Sequence, residues 1–177
     1  MKKFALLFSA VAFSTVASAA SLNWSMNKIV DENGAAMVGV TAYLFITEQS
    51  SDFGAKVTTV DEIKSLITSG GDLSEYIAAS GTSNAAGGIS GNTGYYGSFG
   101  AGDSLTGFAV VFDAATYGEA QHYIVTAEKS ASWTSPTGAK ALAFGSLQNS
   151  TWVSVPEPAT AALALLGLGL MIKRRKA

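Results

Sequence analysis

The chain has 177 residues, of which 14% are charged, with a formal net charge of −2 and no cysteine. Lack of cysteine excludes disulfide staples, thiolate metal sites and a cysteine nucleophile. The basic residues concentrate at the two ends, so residues 20–154 hold five basic against twelve acidic side chains, a net of about −7. Such a surface repels phosphate backbones and argues against nucleic acid as a partner.

In chain order the first element is a targeting segment. Met1-Lys2-Lys3 precedes an apolar run from Phe4 to Ala17, and Ala17 and Ala19 are the small residues that a signal peptidase reads. Residues 1–19 are therefore expected to form a signal helix cleaved after Ala19, with Ala20 as the second choice. A retained anchor fits less well, because the apolar run is short and the A-x-A triplet follows at once. The remaining ~135 residues, 20–154, are the size of one domain.

Within that domain Leu22, Trp24 and Met26 alternate with polar residues, the period of a strand. Asp31-Glu32-Asn33-Gly34 then reads as a hairpin turn leading to a second, central strand within Met37–Thr47. Thr59 and Glu62 fit a capping box, and Val60, Ile63, Leu66 and Ile67 share one helical face that ends at Gly70-Gly71. Asp72 with Glu75 predicts a second short helix reaching Ala79, the pair capping one end of a sheet. From Ser80 to Gly107 the chain is rich in Gly, Ser, Asn and Thr. It reads as a surface loop or short irregular strands. Tyr95, Tyr96 and Phe99 interrupt it and could serve as a stacking surface for sugar rings. Three strand-like runs follow, Leu105–Asp113, Gln121–Lys129 and Ala139–Leu147, and Trp152 closes the domain. The expected fold is mainly β: a single small, mostly antiparallel β-sandwich, jelly-roll-like, with two short helices.

The C-terminus is a second targeting element. Pro156-Glu157-Pro158 breaks any regular structure before it. An apolar stretch follows, with Ala159, Leu163, Leu165, Leu166, Leu168, Leu170, Met171 and Ile172, and then the cations Lys173, Arg174, Arg175 and Lys176. As a helix, Ala159 to Ile172 spans roughly 21 Å against a hydrocarbon core of about 30 Å. The basic cluster favours a membrane helix whose cationic end stays cytoplasmic. The soluble domain then lies outside the inner membrane.

Those three parts in order, over residues 155–177, resemble the PEP-CTERM sorting signal, a tail also labelled as the C-terminal domain of ice-binding proteins. That label implies no ice binding here. The resemblance implies processing by exosortase, a multi-pass membrane protease that recognises the Pro-Glu-Pro region. It also implies an inner-membrane intermediate, then the outer surface or extracellular matrix of an exopolysaccharide-making Gram-negative bacterium.

Chemistry-bearing residues are sparse. His122 is the only histidine, so no zinc set can be assembled and no oriented base is visible. Ser25-Met26-Asn27-Lys28 matches S-x-x-K but falls in a predicted strand without companion motifs. Asp103, Asp113 and Glu119 are the best carboxylates for a glycosidase pair or a calcium site. No catalytic residue, cofactor or metal is assigned. A structural or interaction protein of the cell surface ranks first, an exopolysaccharide-binding module second, and a small hydrolase last.

Overall fold

The structure is a computed structural model that describes residues 21–50, 54–95, 101–134 and 138–156, the side chains of 92–95 aside. In chain order the elements are β1 (Ser21–Asn27), β2 (Thr41–Gln49), α1 (Val60–Ser69), a 3-10 turn (Ser74–Tyr76), β3 (Ala79–Thr82), β4 (Ile89–Tyr95), β5 (Ser104–Phe112), β6 (His122–Val125), β7 (Lys129–Ser132), β8 (Ala139–Ser146) and β9 (Val153–Ser154). They form two sheets. The smaller has the order β4-β1-β8. The larger has the order β3-β2-β5-β6-β9, with β7 also on β5.

The burial pattern follows from the sequence period. Leu22, Trp24 and Met26 of β1 are buried on one face only. In β2 and β5 both faces are apolar. Ala42, Leu44 and Ile46 join Leu105, Ala109 and Val111 in a core shared with β1, β4 and β8. The opposite parity, Phe45 with Phe108, Val110 and Phe112, builds a second core against Ile63 and Ile67 of α1. The Phe45 and Phe108 rings stack at 5.4 Å. The domain is thus three layers, sheet on sheet on helix, with a sandwich-like pair at its heart.

Helix α1 starts and stops as its sequence dictates. The Thr59 hydroxyl accepts from the Glu62 amide at 3.1 Å. Gly70, at φ +69°, closes the other end, with Gly71 N–H donating to the Leu66 carbonyl at 2.8 Å. The Glu62 carboxylate faces the Thr59 amide in turn, and that backbone hydrogen bond helps to lower its pKa. The carboxylate also accepts from the Thr58 hydroxyl at 2.9 Å and from the Tyr76 hydroxyl at 3.0 Å. Lys56 joins the same cluster, 2.9 Å from both Glu75 and the Tyr76 hydroxyl. Thr59→Ala should therefore cost about 1 kcal/mol of stability, read as a shifted denaturation midpoint at constant slope.

The same cluster sets a pH dependence. Hydrogen bonds from Thr58 and then Tyr76 hold the Glu62 carboxyl below its ordinary value, and Lys56 does the same for Glu75. Bonds from the Ser74 amide and hydroxyl lower Asp72. A depressed folded value means stabilisation present above the unfolded carboxylate range, near ~4.3, and lost as pH falls through the folded value. The melting temperature should fall on acidification below about pH 4.5, and Glu62→Gln should flatten that fall.

Several expectations need correction. The helix does not cap the end of a sheet but covers the outer face of the larger one. The second helix is a single 3-10 turn, Ser74–Tyr76. Asp72 bonds the Ser74 amide and hydroxyl, and Ala78 N–H is taken by the Leu44 carbonyl, which pulls the chain into the sheet. The Asn33-Gly34 turn exists, closed by Asp31, whose carboxylate accepts from Asn33 and Ala35. It joins only one bridge, Val30 to Ala36. The strands β1 and β2 lie in different sheets, because their apolar faces pack against each other. The run Gln121–Lys129 splits into β6 and β7 where Thr126 takes up Ala109 twice, its hydroxyl accepting from Ala109 N–H and its amide donating to Ala109 C=O. The Gly-rich stretch from Ser80 supplies β3 and β4. Among the described residues six ladders are antiparallel, but β1 and β8 run parallel, which departs from a jelly-roll scheme. No helix of the described residues is long and apolar enough to cross a membrane. The expected signal and membrane helices lie outside those residues.

Candidate functional site

The fold ends at the sorting motif with no intervening linker. Trp152 packs against the first core and its indole N–H donates to the Val30 carbonyl at 2.9 Å. Next, β9 pairs with β6 in the register Tyr123 to Val153 and His122 to Ser154. Val155 then donates its N–H to the Gln121 carbonyl at 2.7 Å and packs on the second core. Pro156 is exposed at the rim of a cleft of about 590 Å³, walled by Ile67, Leu73, Phe112, Tyr117 and His122.

Behind that rim stands an arrangement the sequence did not disclose. Asp113 follows β5 and His122 opens β6, so the antiparallel pairing brings them side by side. The His122 Nδ1 is 2.9 Å from an Asp113 carboxylate oxygen, and the other oxygen accepts from Gln121 N–H at 2.9 Å. The Asp113 side chain is 19% exposed and the imidazole 39%. No sequence signal pairs two residues nine apart across an irregular turn; the hairpin geometry alone does so. Ser154 stands opposite His122 in register, yet no hydrogen bond joins them. An oriented imidazole is present, but no activated nucleophile accompanies it among the described residues.

A second cleft, about 300 Å³, opens on the other side of this pair and is lined by Asp31, Asn33, Met37, Asp113, His122 and Trp152. Asp103 and Glu119 do not join Asp113. Asp103 receives the Ser50 hydroxyl at 3.4 Å, and Glu119 receives that of Thr116 at 3.0 Å. Among the described residues no group of three or more His, Asp or Glu is placed to hold a metal ion.

Other sequence candidates fall differently. Tyr95 ends β4, its backbone paired with Ser21. Tyr96 and Phe99 lie outside the described residues. So do Ala17 and Ala19, Glu157 and Pro158, the apolar residues from Ala159 to Ile172, and the basic cluster from Lys173 to Lys176.

Residues 154–176 match the family model described as the PEP-CTERM protein-sorting motif. That motif implies an exported protein processed at the membrane on its way to the cell surface, with exosortase as the processing partner. No relative is found among curated proteins. The match begins at Ser154, inside β9, so motif and fold overlap by three residues, Ser154, Val155 and Pro156.

Proposed function

We propose that residues 20–154 form a structural or interaction module, not an enzyme, of the cell surface or exopolysaccharide matrix of a Gram-negative bacterium. The observation that carries this reading is the sorting motif joined directly to a three-layer domain whose described residues hold no activated nucleophile beside His122. The acidic surface suits a soluble module held among sugars and counter-ions. Intact-mass measurement of the surface protein tests the reading. The mature mass should lack residues 1–19 and the basic end of the tail in cells that carry exosortase. A surface protein still ending at Ala177 in such cells refutes it.

One observation favours a second reading, exopolysaccharide binding. The Trp152 ring, the Asn33 amide and the Asp113–His122 pair share one cleft, the mixture of aromatic face and hydrogen-bonding groups that suits a sugar. On this reading Asp113→Asn abolishes glycan-array signals while leaving the melting temperature nearly unchanged. An array without signals for the unaltered protein removes it.

A further inference from the structure

The overlap between motif and fold creates a conflict. An extended peptide is recognised through its main-chain groups. In this protein the main chain just before Pro156 is already engaged with β6. Val155 N–H is bonded to Gln121, and Val153 and Ser154 are in the β9 ladder. Length sharpens the conflict. Residues 156–158 can span at most ~10 Å between the fold and the apolar stretch that starts at Ala159. A membrane protease reading Pro156-Glu157-Pro158 would meet the folded domain at its own mouth.

We propose that β9 leaves β6 before processing, and that Val153, Ser154 and Val155 form the upstream part of the strand that exosortase binds. The proposal rests on the exosortase reading above. Three features of β9 suit it to detachment. The ladder has only two residue pairs. Both of its residues are exposed, Val153 by 48%, so of the three released residues only the half-buried Val155 uncovers apolar surface of the second core. Trp152 stays behind as a stop, fixed by its bond to Val30 and its packing on the first core. Local opening of this kind costs far less than global unfolding. Release of three residues adds about 10 Å of extended chain between domain and membrane.

A reversible staple tests this. His122 and Ser154 are register partners, and the Val155–Gln121 bond makes them a non-hydrogen-bonded pair. Such pairs have Cα atoms about 4.5 Å apart, within the range a disulfide spans. The chain has no other cysteine to compete. The full-length protein carrying His122→Cys and Ser154→Cys is expressed in cells with exosortase, and the disulfide is verified by mass. The oxidised double variant should accumulate with its tail, and the same double variant given reductant should be processed. A flexible Gly-Ser insert of about six residues between Val155 and Pro156 should also restore it without reductant, by supplying free upstream chain. Normal processing of the stapled protein overturns the proposal, as does a staple that the insert fails to bypass. Failure of the unaltered protein to be processed at all is a different result, and refutes the exosortase reading itself.

Discussion

Replacing Pro156 and Pro158 with Ala is expected to abolish release of the tail and leave a longer protein in the inner membrane. Each proline resists helix by about 3 kcal/mol relative to Ala, so the double replacement removes the local bar to helix at positions 156 and 158. Glu157, which precedes a proline, then loses the local preference for extended backbone that a protease can use. The seven strongly apolar residues of the run, at about −0.3 to −0.6 kcal/mol for each Leu or Ile, supply only a few kcal/mol of insertion free energy. On the proposed reading that holds a chain during translocation, with Lys173 to Lys176 kept inside, and is marginal for permanent anchoring. A handle meant to be cut needs no more. Pro156 is exposed at the rim of its cleft, and exposed positions of this kind usually shift stability by ~0.5 kcal/mol or less. Unchanged melting of the domain would therefore separate lost processing from misfolding. Immunoblots of membrane and surface fractions, with cells lacking exosortase for comparison, give the readout. Equal processing of the double variant and the unaltered protein would show that the prolines are not what is read.

Trp24→Ala should be the most damaging single core change, costing about 3–5 kcal/mol. That is a large part of the 5–15 kcal/mol typical of a whole domain. Trp24 is 1% exposed at the middle of the smaller sheet, and its ring fits only because two neighbours lack a side chain. A Cβ on Gly91 would lie 2.3 Å from the indole nitrogen, and one on Gly81 would lie 3.2 Å from the ring edge. Truncation leaves a cavity that the neighbouring strands cannot close without breaking register. Thermal unfolding of the mature protein should show a drop of roughly 10 °C or more. Gly91→Ala should lower the midpoint as well, by overpacking the same spot. The indole nitrogen has no hydrogen-bond partner, so Trp24→Phe loses volume without stranding a polar group and should be milder than Ala. A Trp24→Ala protein that melts with the unaltered one would mean the smaller sheet is not part of the cooperative core.

Elements with a strong local code were legible. The one-sided period of β1, the two-sided apolar character of β2 and the Thr59 start and Gly70 stop of α1 all follow from the residues themselves. Where the sequence misled, a longer-range bond outweighed a local preference. Residues 72–79 carry a helix-start pattern, but the Ala78–Leu44 bond draws them toward β3 after a single turn. The Asn33-Gly34 turn is local and real. Its flanking strands were free to pair or to face each other, and burial of Trp24 in one core with Leu44 and Ala109 decided for facing. The Gly-rich stretch from Ser80 read as a loop or short irregular strands because its few branched and aromatic residues show no strand period. It forms β3 and β4 because Gly81 and Gly91 are the only residue type that can lie against the Trp24 ring.

The sequence by itself holds the sorting motif of residues 154–176, which implies export and processing at the membrane. A signal peptide pattern and a sorting tail are linear codes, read by a translocating membrane system before or apart from folding, so no tertiary contact is needed to recognise them. It also determined which residues would be buried, since burial follows the period of apolar side chains. Only the tertiary structure decided the sheet to which each strand belongs, the parallel pairing of β1 with β8, and the meeting of Asp113 with His122. Those depend on contacts between residues distant in the chain, whose free energy is collective and leaves no mark at any one position. The same is true of the junction at Ser154, Val155 and Pro156. As sequence it is the edge of a motif, but in the fold its first residues are also the last strand of a sheet.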